Sequence, residues 1–326
     1  MMATEFNLIK KYFTRAGKHT DLGVGDDAAL ISVLAGMQLA VSTDMLVAGT
    51  HFFHDAAAYD VGWKSLAANI SDMAAMGAQA KWATLAIALP EMNETWLAEF
   101  SRGFFACADA FNIDLIGGDT TKGSLNISVT IMGEVPIGKA LRRDSAKMGD
   151  DIWVSGTLGD AALALAILQN RYKIDANWQE SELEKWLPSL NRPQPRAALG
   201  LALRGIATGC IDISDGLLAD LGHILTASNL GADVHLERIP VSLYNLNHLH
   251  EAEIQKCVLA GGDDYELCFT APPSKREEIE LIGKQQNLLL TCIASTRTDI
   301  GLQAIYKNTV LSLNSKGFDH FGENNE

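Results

Sequence analysis

Residues 210–228 read CIDISDGLLADLGHILTAS, and this stretch joins the two kinds of element that repeat along the chain. Cys210–Ile213 is apolar apart from Asp212, which is typical of a buried β-strand. Leu217–Ser228 carries leucine and isoleucine at helical spacing and predicts a helix. Asp212 and Asp215 are therefore expected where the strand ends and the helix begins.

Strands and helices alternate on both sides of this stretch. The other predicted helices are Glu5–Phe13, Tyr59–Met76, Glu94–Ala110, Asp160–Gln169, Glu180–Leu187 and Ala197–Arg204. The other predicted strands are Ala28–Val33, Gln38–Val41, Lys81–Leu89, Leu115–Ile116, Leu125–Val135, Ile152–Val154, Ala232–Leu236, Tyr265–Thr270, Leu288–Ile293 and Gln303–Tyr306. This alternation predicts an α/β or α+β protein of two domains.

The length and composition agree with two domains. The chain has 326 residues, of which 48% are hydrophobic, enough for sizeable cores. A polar, partly basic and turn-like segment follows the strand that ends near Val135. We therefore expect an N-terminal domain over residues 1–138 and a C-terminal domain over residues 139–326.

Charge and cysteine content exclude several classes of function. The net charge is −14 and there is no long basic stretch, so we expect no nucleic-acid partner. The apolar runs are too short to span a membrane, and residues 1–13 lack the apolar core of a signal peptide. Five cysteines without a C-x-x-C pair are typical of reduced thiols in a cytoplasmic protein.

Six short clusters combine aspartate with glycine, serine or threonine. They are Gly25-Asp26-Asp27, Ser42-Thr43-Asp44, Asn69-Ile70-Ser71-Asp72, Gly117-Gly118-Asp119-Thr120-Thr121, Asp212-Ile213-Ser214-Asp215-Gly216 and Gly261-Gly262-Asp263-Asp264-Tyr265-Glu266. Most of them follow apolar runs, so we expect them on loops that leave strands or at helix starts. Carboxylates gathered without cations repel each other, whereas Mg²⁺ binds carboxylates together with substrate phosphates. The pattern favours a metal-dependent enzyme that acts on phosphates.

Simpler explanations exist for single clusters. Asp44 and its neighbours are good helix N-caps, and the Asp212–Asp215 cluster is also typical of a capped helix. The paired glycines before Asp119 suit an ordinary turn, and Asp263 suits turn chemistry as well as a binding site. Asp72 differs, because it lies among alanines in a predicted helix, where an unpaired carboxylate is costly.

Two familiar nucleotide-binding motifs are only approximated. Residues 23–28, GVGDDA, fit the dinucleotide pattern, but two aspartates would repel a pyrophosphate. Residues 133–140, GEVPIGKA, lack the serine or threonine that a P-loop uses for Mg²⁺. We therefore reject both interpretations.

The order of the motifs resembles the thiamine-monophosphate kinase family of the aminoimidazole-ribonucleotide-synthetase-like superfamily. The matching segments are GVGDDAA at 23–29, STDMLVAGTHF at 42–52, NISDMAAMGA at 69–78, IGGDTT at 116–121, IDISDGL at 211–217 and GGDDYEL at 261–267. One departure stands out. The family usually has glutamate where this chain has Asp263, so the carboxylate reaches about one methylene less.

The resemblance implies transfer of the γ-phosphoryl group of ATP to thiamine monophosphate, giving thiamine diphosphate, with several Mg²⁺ ions. A need for a monovalent cation stays open. It also implies a homodimer in which N-terminal sheets form a barrel-like interface, and a C-terminal α/β domain that closes the active-site cleft. The resemblance also implies functional residues. The implied catalytic residues are Asp44, Asp72 and Asp119, and the implied metal ligands are Asp27, Ser42, Thr43, Asp44, Asp72, Asp119, Asp212 and Asp215. The implied ATP contacts are Gly118, Asp119, Arg143 and Ser214, and the implied substrate contacts are His51, Asp263 and Phe318.

Two alternatives remain at this point. Another ATP-dependent enzyme of the same superfamily, such as aminoimidazole ribonucleotide synthetase, has a similar motif order. A non-catalytic protein that binds divalent cations would also explain the aspartates, but not the paired glycines at 117–118, Arg143 or the second α/β domain.

Overall fold

The structure is a computed structural model that describes residues 5–174, 180–312 and 317–318. The chain divides into two compact units. Unit 1 comprises Met1–Met73 and Ala78–Lys139, and unit 2 comprises Ala74–Gly77 and Ala140–Glu326. Within the described ranges, no helix combines the length and the apolarity that crossing a membrane requires.

Unit 1 is built on a mixed four-stranded sheet in the order β1-β4-β2-β3. Strand β4 pairs antiparallel with β1 and β2, and β2 pairs parallel with β3. The strands are β1 (Met37–Val47), β2 (Gln79–Leu89), β3 (Asp114–Lys122) and β4 (Asn126–Pro136). The helices are α1 (Glu5–Leu8), which continues as a π-helical turn over Ile9–Phe13, α2 (Ala58–Ala75) and α3 (Glu94–Phe111).

Local sequence explains most of these elements. In β4, Ile127, Val129 and Ile131 are fully buried while the residues between them are partly exposed, the period of two expected for a strand with one face in the core. Helix α3 begins where the Asn93 side chain accepts the N–H of Trp96, at 3.0 Å.

Three strand predictions in this unit need correction. Ala28–Val33 is not a strand and takes part only in an isolated bridge, at Leu30, because no neighbouring strand covers this exposed segment. The strand predicted at Gln38–Val41 extends through Asp44 to Val47. The strand predicted at Leu115–Ile116 likewise extends to Lys122.

These longer strands change where two aspartate clusters lie. Ser42-Thr43-Asp44 lies inside β1, so Asp44 caps no helix, and Gly118-Asp119 lies inside β3 rather than in a turn. The physical reason is that main-chain pairing with β4 and β2 does not require apolar side chains.

Unit 2 contains a mixed seven-stranded sheet in the order β11-β10-β7-β9-β5-β8-β6. Its strands are β5 (Asp151–Ser155), β6 (Gly209–Ile213), β7 (Gly231–His235), β8 (Glu266–Ala271), β9 (Leu290–Arg297), β10 (Gly301–Tyr306) and β11 (Thr309–Val310). Its helices are α4 (Asp160–Leu168), α5 (Glu180–Asn191), α6 (Ala197–Ala202), α7 (Leu217–Ser228), α8 (Leu243–Asn247), α9 (Ala252–Ala260) and α10 (Arg276–Gln286).

The sheet of unit 2 has a core on each face. Ile152 and Val154 of β5 enter the core formed with α4, α7 and α9, whereas Trp153 enters the core formed with α6 and α10. Strands β5, β6 and β8 are buried along their whole length, so they show no alternation of buried and exposed residues. The predicted mixed α/β fold class is confirmed, and α7 has the predicted bounds, whereas α8, α9 and α10 are not among the predicted helices.

Candidate functional site

Strand β1 and helix α2 bring three predicted site residues together in unit 1. The Ser42 hydroxyl donates to Oδ2 of Asp72 at 2.5 Å, and the main-chain N–H of Asp44 donates to Oδ1 of Asn69 at 3.2 Å. Ser42 and Asp44 share a strand face because they are two residues apart, and Asn69 and Asp72 share a helix face because they are three apart. Fully buried Asn69 therefore links this part of β1 to the helix that carries Asp72.

Thr43 and Asp119 are not part of this group. The Thr43 side chain lies on the other face of β1, where its hydroxyl hydrogen-bonds that of Thr130 at 2.8 Å. The register aligns Asp119 with Ala86, Ser128 and Met45, which places it on that other face too. Three strand spacings, about 14 Å, separate β1 from β3. The hydroxyl of Thr43 and the carboxylate of Asp119 therefore do not join Asp44 and Asp72 around one position.

Gly118 lies where two neighbouring strands come very close. A Cβ atom on Gly118 would lie 1.8 Å from the carbonyl oxygen of Leu85, so only glycine is accommodated without moving β2 or β3. Gly118 and Asp119 are both exposed on this edge strand. Their main chain is thus accessible to a ligand.

His51 and Asp27 occupy two further segments of unit 1. Nδ1 of His51 accepts the N–H of Val47 at 2.9 Å, which fixes the ring and leaves the proton of a neutral imidazole on Nε2. His51 also donates its main-chain N–H to the carbonyl of Val47 at 2.9 Å. Asp27 is exposed, and its N–H donates to the carboxylate of Asp26.

In unit 2, five predicted site residues lie in, or hydrogen-bond to, one segment, Asp212–Gly216, which is called the 212–216 turn below. Three of its consecutive carbonyls accept main-chain N–H groups from other parts of the unit. Asp263 donates to Ser214 at 2.9 Å, Tyr265 to Ile213 at 2.8 Å, and Phe318 to Asp215 at 3.0 Å. The turn therefore holds the predicted substrate contacts Asp263 and Phe318 next to the predicted metal and nucleotide contacts.

The N–H groups of the same turn point to a different partner. Oδ2 of Asp220, one turn into α7, accepts the N–H groups of Ser214, Asp215 and Gly216, each at 3.1 Å. Burial, together with the charges of Asp212 and Asp215, raises the pKa of Asp220 to about 7. Carboxylates are thus concentrated here at an energetic cost, as expected of a site that binds cations.

The segment after Gly261 has an unusual main chain. Asp263 and Tyr265 both adopt left-handed conformations, with φ of 69° and 50°, and the Tyr265 hydroxyl donates to Oδ1 of Asp263 at 3.1 Å. Such conformations cost roughly 1–3 kcal/mol each and concentrate at binding sites. Gly262 is required here, because a Cβ would lie 2.4 Å from the carbonyl oxygen of Ser214.

Two neighbouring arginines differ in their partners. Arg142 forms two hydrogen bonds with the carboxylate of Asp144, at 2.9 and 2.6 Å. The exposed guanidinium of Arg143 has no hydrogen-bond partner within residues 5–174, 180–312 and 317–318. Arg143, rather than Arg142, is therefore able to accommodate a phosphate without breaking an existing pair.

Known proteins resemble this chain over nearly its whole length. The family model described as AIR synthase related protein, N-terminal domain, matches residues 25–135. A thiamine-monophosphate kinase of Salmonella typhimurium is 43% identical over 325 residues, which cover 98% of this chain and 99% of that protein. This chain belongs to the thiamine-monophosphate kinase family.

Solved structures of the thiamine-monophosphate kinase family have the same fold. The enzyme from Stenotrophomonas maltophilia K279a is 48% identical, with a TM-score of 0.82 over 88% of this chain and 91% of that one. A structure described as AaThiL complexed with AMPPCP and TMP is 28% identical, with a TM-score of 0.76 over 91% of this chain and 92% of that one.

The donors in this member of the thiamine-monophosphate kinase family fit magnesium. They are carboxylate and hydroxyl oxygens, the ligands that Mg²⁺ prefers. Within the described ranges, no three His, Cys, Asp or Glu side chains form a group that could hold a metal ion. Mg²⁺ usually uses one or two carboxylates with water and substrate phosphates, so it does not require a group of three. The metal assignments remain predictions.

Three residues that hydrogen-bond to predicted site residues of their own unit are not among the predicted site residues. Asn69 stands three residues before Asp72 in a predicted helix, and this spacing predicts that the two side chains share one helix face. Asp220 stands one turn into the predicted helix α7, next to the leucines of the apolar helix face. This position predicts a buried carboxylate. No sequence pattern predicts the hydrogen bond from Tyr265 to Asp263, because this bond depends on the left-handed main-chain conformations of both residues.

Proposed function

We propose that this protein phosphorylates thiamine monophosphate with ATP, producing thiamine diphosphate and ADP. The observation that carries the proposal is the 43% identity to a thiamine-monophosphate kinase over 98% of the chain. The complex of AaThiL with AMPPCP and TMP supports ATP and thiamine monophosphate as the two substrates.

The proposed reaction is a direct in-line transfer. An oxygen of the acceptor phosphate forms a bond to the γ-phosphorus of ATP, while the bond from that phosphorus to the β,γ-bridging oxygen breaks and ADP leaves. The acceptor phosphate is already ionised near neutral pH, so no residue has to remove a proton. The protein must mainly position two anions and offset their charges.

Each group of predicted residues has a proposed role in this reaction. Asp44 and Asp72, with Ser42, form one proposed Mg²⁺ site, and Asp212 with Asp215 forms another; Mg²⁺, when bound, neutralises phosphate charge. Gly118 and Asp119 offer exposed main chain and a carboxylate to the nucleotide, Ser214 offers a hydroxyl, and Arg143 offers an exposed guanidinium. Thr43 and Asp27 remain proposed ligands to which the described contacts add no support.

The substrate contacts suit thiamine. The thiazolium ring is cationic and the aminopyrimidine donates hydrogen bonds, so the Asp263 carboxylate is a chemically matched partner. Phe318 is 42% exposed and its main chain is held by Asp215, so its ring is accessible for stacking on an aromatic substrate. Nε2–H of His51 is a donor for a phosphate oxygen.

The acceptor test decides the function. Reactions with ATP and Mg²⁺ are separated by chromatography after incubation with thiamine monophosphate, with thiamine, or with neither. We expect thiamine diphosphate only from thiamine monophosphate, because thiamine lacks the phosphate that the metal ions would bind. An Asp72→Asn sample purified in parallel controls for contaminating kinases.

The outcomes separate the alternatives. Efficient phosphorylation of free thiamine would contradict the proposed acceptor. ATP turnover that does not depend on thiamine monophosphate would favour another enzyme of the superfamily, and no turnover with any acceptor would favour a cation-binding protein.

We also propose that two copies of the chain form a homodimer through the exposed face of β1. Leu39, Val41 and Met45 alternate along this edge strand and are 41%, 58% and 55% exposed. They lie on the face opposite Ser42 and Asp44, so a partner can cover them without touching those two side chains. A row of apolar side chains on an edge strand is typical of an interface with another chain.

Sedimentation equilibrium tests the dimer. The wild-type chain is expected to sediment as a dimer, and Val41→Glu is expected to be largely monomeric, because it buries a charge in the interface. Met92→Glu is the matched control, since Met92 is an exposed apolar residue outside β1. A dimer that survives Val41→Glu unchanged would rule out this interface.

The proposed location is the cytoplasm. All five cysteines are free thiols, and four of them are buried in the cores. Reduced thiols persist where the compartment keeps them reduced, which supports this location.

A further inference from the structure

Three consecutive main-chain N–H groups in unit 2 converge on a single atom. The donors are Ser214, Asp215 and Gly216, and the acceptor is Oδ2 of Asp220. Asp220 is only 3% exposed, so its carboxylate is enclosed by the turn that it binds.

N–H groups in this position normally attract anions. They lie immediately before α7, a helix of 12 residues with Gly216 as its N-cap, and so lie near the positive end of its dipole. A phosphate group is the usual ligand of such groups. In this chain they are already bonded to Asp220, so the 212–216 turn has no free N–H among these three for a phosphate.

The atoms that the turn presents instead are oxygens. Asp212 and Asp215 supply carboxylates, and Ser214 supplies a hydroxyl. The carbonyls of the same turn accept from Asp263, Tyr265 and Phe318. The conformation of these five residues therefore sets the positions of the proposed metal ligands and of two proposed substrate contacts together.

A neutral side chain could hold the turn at lower cost. Burying a third carboxylate beside Asp212 and Asp215 is unfavourable, because like charges repel and burial removes hydration. Asparagine has nearly the same shape and also offers an acceptor oxygen. Oδ2 of Asp220 lies 3.1 Å from the main-chain nitrogen of each of Ser214, Asp215 and Gly216, so this one side chain keeps all three N–H groups pointing inward.

We propose that Asp220 is a positioning residue, which takes up the N–H groups of the 212–216 turn and thereby makes this turn a site for cations rather than for phosphate. The inference rests on the proposed function for the role of Asp212 and Asp215 as Mg²⁺ ligands. It concerns how the turn is held and adds no ligand of its own.

Mn²⁺ binding to the protein without nucleotide tests this role. Free Mn²⁺ is measured by electron paramagnetic resonance for the wild type, Asp220→Ala and Asp220→Asn. For Asp220→Ala we expect the dissociation constant of Mn²⁺ at the 212–216 turn to rise about tenfold. For Asp220→Asn, which retains an acceptor oxygen, we expect a smaller rise. Asp150→Asn is the matched control, because Asp150 is a buried carboxylate of the same unit that accepts the N–H of Lys147 at 2.8 Å.

If Asp220 only stabilised the fold, Asp220→Ala would have a lower melting temperature but an unchanged affinity for Mn²⁺. That result would overturn the proposal. Hydrogen exchange of the wild-type amides provides a test that needs no variant. Slow exchange at Ser214, Asp215 and Gly216 supports the proposal, and exchange at unprotected rates overturns it even if Asp220→Ala does not fold. Wild-type turnover of thiamine monophosphate is measured separately, so that failure of the proposed function is not confused with failure of this inference.

Discussion

Asp72→Asn is expected to abolish phosphoryl transfer while the fold stays intact. Asparagine has nearly the same shape and can still accept the hydroxyl of Ser42, which donates to Asp72 at 2.5 Å, so the contact between β1 and α2 survives. The negative charge that would hold Mg²⁺ is lost. We expect turnover to fall by about 10³-fold or more, comparable to the loss of other charge-stabilising groups in phosphoryl transfer.

Asp44→Asn is expected to behave in the same way. The main-chain bond from Asp44 to Asn69 does not involve its carboxylate, so β1 keeps its position. Initial rates are measured over a range of Mg²⁺ concentrations, with thermal melting as the check on folding.

Asp109→Asn is the matched control for both variants. Asp109 is an exposed carboxylate on α3 of the same unit, paired with Arg15, and a surface pair of this kind contributes little to stability. Near-wild-type turnover of Asp44→Asn or Asp72→Asn at low millimolar Mg²⁺ would show that the site assignment is wrong.

Asp263→Asn is expected to raise KM for thiamine monophosphate by about 10–100-fold and KM for ATP much less. A hydrogen bond to a charged group contributes about 1.5–3 kcal/mol, which corresponds to this range. Asparagine tolerates the left-handed conformation of Asp263, φ 69°, so the main chain of the segment is preserved. Steady-state kinetics with each substrate varied in turn measure the difference.

Two further substitutions sharpen this result. Tyr265→Phe removes only the hydroxyl that donates to Oδ1 of Asp263, so a smaller rise in the same KM is expected. Asp263→Glu restores the longer side chain of the family and should keep KM for thiamine monophosphate near the wild-type value. Its melting temperature should fall slightly, because glutamate adopts left-handed conformations less readily than aspartate.

Asp299→Asn is the matched control, because Asp299 is an exposed carboxylate of the same unit. Equal changes in both KM values for Asp263→Asn would mean that Asp263 only shapes the segment after Gly262. Loss of folding in that variant would favour the same structural role.

Local sequence determined much of this protein. Leu217–Ser228 is a helix with the predicted bounds because its apolar residues repeat at helical spacing, and the strand at Gly209–Ile213 precedes it as expected. The order of the aspartate motifs was enough to identify the family. These features depend on residues close together in the chain, so their physical causes can be read from the sequence.

The tertiary structure alone decided which of the predicted residues meet. The packing of α2 on β1 places Ser42 against Asp72 and Asp44 against Asn69, whereas the register of the sheet places Thr43 and Asp119 on the other face. The bonds from Asp263 and Phe318 to the 212–216 turn join residues about 50 and 100 positions apart in sequence. Sequence periodicity does not encode such contacts, because strand order, register and left-handed main-chain conformations are set by packing between distant segments.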